Sequence, residues 1–137
     1  MNFNDLSLEQ QVDILTENSE QVNRMALLCF ASKLGEMSEA GEKIYVAVIK
    51  NQNAKGGKEN IATINIGKPL WFAFTDEGKY NFLPDEYKNQ LDLEQLEIQE
   101  LLDLFMHNSS AEGIAFNPFS NKKGVFFADK QIITLAW

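Results

Sequence analysis

Cysteine is almost missing from this sequence: Cys29 stands alone among 137 residues. A single thiol can form no internal disulfide and no cysteine cluster for zinc. It lies in the apolar run Ala26-Leu27-Leu28-Cys29-Phe30, where no neighbouring cation lowers its pKa. It therefore reads as a small core hydrophobe and not as a nucleophile. Histidine is equally scarce. His107 is the only one, and nothing in the local sequence supplies the Ser or Cys and the acid that a His-centred triad needs. Asp103 and His107 are spaced i, i+4 and could both reach one metal ion on a helix. Two ligands fall short of the three or four that zinc sites use, and a cation at a helix C-terminus is the simpler reading of His107. Neither a metal nor a cofactor is expected.

Long apolar runs are also lacking. None approaches the roughly 20 residues that span a bilayer. Met1-Asn2-Phe3-Asn4-Asp5 has neither the basic start nor the apolar core of a secretory signal. A cytoplasmic protein is expected, in which the glycosylation sequon Asn108-Ser109-Ser110 has no consequence. Basic residues are outnumbered: 12 Lys and Arg stand against 20 Asp and Glu, a formal net charge of −8. Such a surface repels phosphate backbones and anionic lipids, so no nucleic acid and no membrane is expected as a partner. A basic protein partner is favoured, because complementary charge speeds encounter. Nucleotide-binding signatures are absent as well. Lys55-Gly56-Gly57-Lys58-Glu59 lacks the first Gly and the final Ser or Thr of a P-loop, and there is no G-x-G-x-x-G.

What the chain does have is core material: 45% hydrophobic residues, with ten Phe, three Tyr and two Trp. A chain of this length buries roughly two-thirds of its unfolded surface and needs no staple. No repeat, low-complexity tract or linker divides it, so 1–137 reads as one domain with a helical part over 1–41 and a sheet-containing part over 44–135.

Ser7-Leu8-Glu9-Gln10 has the form of a capping box, with Leu8, Val12 and Leu15 on one helical face behind it. Asn18 with Gln21 reads as the start of a second helix carrying Val22, Met25, Phe30 and Met37, with Gly41 as its stop. Ile44-Tyr45-Val46-Ala47-Val48-Ile49 reads as a strand. A loop over 51–60 follows, and Ile61-Ala62-Thr63-Ile64-Asn65-Ile66 alternates as a half-buried strand does. Gly67-Lys68-Pro69 turns into Leu70-Trp71-Phe72-Ala73-Phe74, whose continuous apolarity predicts a central strand in a three-strand meander. A short helix and loop fit 76–90. An amphipathic helix is predicted near 95–107, with Ile98, Leu101, Leu102 and Phe105 inward and Glu94, Glu97, Glu100 and Asp103 stepping along its polar side. Glycine-led Gly113-Ile114-Ala115-Phe116 and Gly124-Val125-Phe126-Phe127-Ala128 add two strands, and Asp129 caps a last helix. The expected fold is α+β: N-terminal helices packed on a mixed or antiparallel sheet of about five strands.

Two segments carry a family resemblance. Leu70-Trp71-Phe72-Ala73-Phe74-Thr75-Asp76 is an apolar strand ending in Phe-Thr-Asp. Glu112-Gly113-Ile114-Ala115-Phe116-Asn117-Pro118 runs from Gly through a strand into Asn-Pro. With Ile44-Tyr45-Val46 before them and Leu135 after, their order and spacing resemble the N-terminal domain of the SseB (enhanced serine sensitivity) family over roughly 44–135. The resemblance implies a small α+β domain without assigned catalytic residues. Relatives often carry a second, C-terminal domain, and any activity residing there is not expected here.

Two functional expectations follow. The first is a non-catalytic protein-interaction or regulatory domain, meeting its partner through exposed aromatics such as Trp71, Tyr80 or Tyr87 beside the acidic face Glu94, Glu97, Glu100 and Asp103. The alternative is a small-molecule-binding domain or enzyme whose pocket forms where strand ends gather Thr75, Asp76 and Asn117, with Trp71 nearby. That alternative requires the two strand ends to share one rim of the sheet. Structural punctuation explains the same residues without a ligand. Thr75 or Asp76 can cap a helix, and Asn117 with Pro118 can end a strand.

Overall fold

The computed structural model describes residues 3–18, 23–50, 61–108, 110–120 and 125–137. The loop expected over 51–60 lies outside them, as does most of the turn between the last two strands. Among the described residues no helix is long and apolar enough to cross a membrane.

Helix α1, Leu8–Glu17, opens on the expected capping box: Ser7 Oγ accepts the Gln10 N–H at 3.2 Å and Gln10 Oε1 accepts the Ser7 N–H at 3.0 Å. Replacing Ser7 with Ala removes one half of this exchange. A loss of about 1 kcal/mol is expected, read by chemical denaturation as a lower midpoint with unchanged slope. Helix α2, Arg24–Glu39, starts later than predicted. Asn23 caps it by accepting the Ala26 N–H, while Asn18 ends α1 instead of opening α2. Its stop is where the sequence puts it. Gly41 sits at φ 75°, and the Glu42 and Gly41 N–H groups return to the Met37 and Ser38 carbonyls, which closes the helix in the left-handed manner glycine permits.

Among the described residues the sheet is mixed and has six strands: β1 Lys43–Ile49, β2 Ile64–Asn65, β3 Pro69–Phe74, β4 Leu91–Glu97, β5 Gly113–Phe116 and β6 Phe127–Asp129. Their order is β4-β1-β3-β5-β6, with β2 paired to β3 beside that path. The expected meander is therefore modified. β1 pairs directly with the C-terminal half of β3, β2 pairs with its N-terminal half, and β1 meets the β2 segment only through the Val48–Ile61 bridge. β3 is central as predicted, and it runs parallel to β5, while the other pairings are antiparallel. Helices α3, Asp85–Lys88, and α4, Ile98–Asn108, flank β4 in the chain, and α5, Lys130–Ala136, closes it with Asp129 as the expected cap.

Alternation along the strands builds two cores. Ile44, Val46, Trp71, Ala73, Ile114 and Phe116 face the layer formed by α1, α2, α4 and α5. The other face, Ala47, Leu70, Phe72, Phe74 and Ala115, is covered by a 3-10 turn over Glu77–Phe82, by α3, and by Phe119. Burial on both faces explains why β3 reads as an unbroken apolar run.

Candidate functional site

Because β3 and β5 are parallel neighbours, their C-terminal ends emerge on one rim, and Thr75, Asp76 and Asn117 come together there. Asn117 and Thr75 bond each other there, while Asp76 stands exposed. Asn117 is wholly buried; its Oδ1 accepts the Thr75 N–H at 2.9 Å and its Nδ2 donates to Thr75 Oγ1 at 3.0 Å. The Asn117 N–H donates to the Ala73 carbonyl at 2.8 Å, and its own carbonyl accepts the Ser120 hydroxyl at 2.7 Å. Asp76 accepts the Lys79 N–H and so caps the 3-10 turn. Beside this rim Lys79 pairs with Glu9 at 3.0 Å, fastening the turn to α1. That pair raises the Lys79 pKa, while burial is the main reason the neighbouring Asp13 carboxyl is pushed up, against the opposing pull of Lys79. The rim is a latch between strands and turn.

Trp71 is no surface anchor. It faces the helix layer at 7% exposure, its ring edge-on to Phe105 and its Nε1–H donated to Thr63 Oγ1 at 3.1 Å. The unbroken burial of β3 accounts for this correction: alternate residues of a central strand face opposite cores, so neither side is left for solvent. Tyr80 and Tyr87 are half-buried against the second core, with Tyr87 stacked on Phe119.

The acidic series divides. Residues 91–97 form strand β4, and the helix begins only at Ile98, so Glu94 and Glu97 point to opposite faces of a strand while Glu100 and Asp103 belong to α4. Asp103 Oδ1 accepts the Trp137 indole N–H, and His107 stands edge-on to that ring at 5.3 Å while its Nδ1 meets the Asp103 carbonyl. Among the described residues no three His, Cys, Asp or Glu side chains converge where they could hold a metal ion.

Among the described residues, strand β4 is an outer edge of the sheet, paired only with β1. Its open side follows from the hydrogen bonds that frame it. Lys50 N–H donates to the Gln90 carbonyl, and Ile98 N–H to the Glu42 carbonyl, so the even-numbered residues of the strand turn their backbone groups toward β1. In an antiparallel ladder the odd-numbered ones then turn theirs outward. The Leu91 carbonyl is capped by the Tyr80 hydroxyl at 2.8 Å. Leu93 and Gln95 present their N–H and C=O groups at the edge. Around them Asp92, Glu94 and Glu97 are exposed, and the Tyr80 pKa is raised by burial and then by the charge of Asp92. This edge went unseen in the sequence, where Leu93, Leu96 and the acids at steps of three continue the α4 period backward. The signal for a strand was the Leu91, Leu93 alternation.

The described residues define a mixed-sheet α+β domain with one long, acidic edge that is open among them. Comparison with protein families, with curated proteins and with solved structures returned no match to this chain.

Proposed function

We propose that this chain is a non-catalytic interaction domain, SseB-like in its two motifs, that takes an extended basic segment of a partner protein along β4. The observation carrying this reading is the outward backbone of Leu93 and Gln95 set among Asp92, Glu94 and Glu97. An added strand gains affinity from main-chain hydrogen bonds and specificity from alternate side chains. Charge selects the partner. A second copy of this edge would set carboxylates against carboxylates, which is destabilising across paired strands, whereas lysines or arginines at alternate positions would meet opposite charge. The interaction reading is also the better supported of the two because, at the rival pocket, Asn117 and Thr75 bond each other and Asp76 caps a turn.

A heptapeptide of alternating lysine and valine is the probe, titrated into labelled protein while backbone amides are followed by NMR. Saturable shifts centred on residues 91–97 are expected. The pair Asp92→Lys and Glu94→Lys should weaken binding about tenfold, equivalent to about 1.4 kcal/mol. Gln95→Pro removes an outward N–H without touching the ladder to β1, so it should weaken binding while leaving the melting temperature near that of the parent. Shifts that fail to saturate, or full affinity in Gln95→Pro, would remove the edge from consideration.

A further inference from the structure

An open strand edge can take up another strand along its whole length unless something ends it, and the β4 edge is ended on both sides. At its C-terminal side the chain turns into α4 at Ile98, whose N–H donates to the Glu42 carbonyl. At its N-terminal side the Asn89 and Gln90 N–H groups return to the Asp85 and Tyr87 carbonyls of α3, and the Gln90 carbonyl accepts the Lys50 N–H. Leu91 is therefore the first residue of β4 whose carbonyl turns outward. That carbonyl is taken: the Tyr80 hydroxyl donates to it at 2.8 Å. Tyr80 is held firmly for this contact. Its ring stands edge-on to Phe74 with centroids 5.5 Å apart, and its own carbonyl accepts the Leu83 N–H. The preceding Lys79 is tied twice, by its N–H to Asp76 and by its ammonium to Glu9. Burial and then the charge of Asp92 raise the Tyr80 pKa, so the phenol keeps its proton and stays a donor at neutral pH.

We infer that Tyr80 closes the β4 edge at Leu91 and so limits the partner to a short extended segment, paired opposite residues 93–97. A partner residue placed opposite Leu91 would bring its N–H to an acceptor that the phenol already occupies. Extending the segment past Leu93 then gains little main-chain bonding, although each step along an open edge ordinarily adds it. The segment that fits is a basic one bounded by a turn or a chain end, and long uninterrupted strands are excluded. The role of Tyr80 rests on the reading of β4 as a docking edge, and it settles how much of that edge is used.

Three capped peptides test it, with backbone amides followed by NMR. One is the pentapeptide Lys-Val-Lys-Val-Lys; the others extend it by two serines at the N-terminus or at the C-terminus, which adds backbone without charge. In the parent all three should bind within about twofold of one another, because the extension finds no free acceptor. Tyr80→Phe keeps the ring on Phe74 and releases the Leu91 carbonyl. One extended peptide should then bind about fivefold tighter than the pentapeptide, as expected for one added main-chain hydrogen bond. The Asp92 amide, which shares a peptide group with that carbonyl, should shift with this peptide in the variant only. Gain by the C-terminal extension assigns an antiparallel partner strand and gain by the N-terminal one a parallel strand, since those are the ends that reach Leu91. Each ratio is measured within one protein, so a general loosening of the variant cancels. A fivefold gain already present in the parent, or none in Tyr80→Phe, would overturn the role of Tyr80 while saturable pentapeptide shifts at 93–97 upheld the edge. Absence of those shifts with every peptide would overturn the edge and its closure together.

Discussion

Phe30→Ala should cost this domain about 3–5 kcal/mol, the range for truncating a fully packed aromatic. Phe30 projects from α2 at 0% exposure, and its ring meets Phe116 and Phe126 edge-on with both centroids 5.1 Å away. Phe116 ends β5 and Phe126 precedes β6, so one side chain joins the longest helix to the far half of the sheet. Removing it takes away apolar burial and two edge-to-face pairs and leaves a cavity that three elements would have to collapse together to fill. Small domains are stable by about 5–15 kcal/mol in all. A loss of this size lowers the melting temperature by on the order of 10 °C or more. Urea unfolding would read it directly, and Phe30→Leu should recover much of the difference because it restores most of the volume. A change below about 1 kcal/mol in Phe30→Ala would mean that α2 is not anchored through this ring.

The features legible in the sequence were those whose physics is local. The capping box at Ser7, the glycine stop at Gly41 and the Asp129 cap each involve groups within a few residues, and each stands where the residues predicted. The central position of β3 was legible because burial on two faces leaves no polar positions to interrupt the run. The opposite holds for 91–97. There the edge strand has one face only partly covered, so its acids sit among its leucines in an order that fits a helix as well as a strand. Nothing local decides between them; the seven-residue register with β1 does. Asn18 misled for a related reason, since asparagine suits both ends of a helix, and here Asn23 is the start. The parallel pairing of β3 with β5 was needed for the strand-end rim and is present, yet the saturation of that rim by its own hydrogen bonds depends on atoms no spacing reveals.

Asn117→Ala should destabilise the fold by about 2–4 kcal/mol, from two separable causes. First, Asn117 sits at φ 50°, a left-handed conformation that costs most residues roughly 1–2 kcal/mol and that asparagine tolerates. Second, its amide bridges the ends of two parallel strands by accepting the Thr75 N–H and donating to Thr75 Oγ1. Alanine would leave the Thr75 N–H without that acceptor, at about 1–3 kcal/mol for a shielded donor. Asn117→Gly isolates the second cause, since glycine adopts the left-handed conformation freely. It should be more stable than the alanine variant by about 1 kcal/mol and still less stable than the parent. Amide hydrogen exchange at Thr75 should accelerate in both. These outcomes also weigh the two functional readings. A residue kept for a ligand can be removed with little effect on folding, whereas a residue that latches β3 to β5 cannot. If Asn117→Ala unfolded at the same urea concentration as the parent, the bonds to Thr75 would be dispensable to the fold. The strand-end rim would then regain its claim as a binding site.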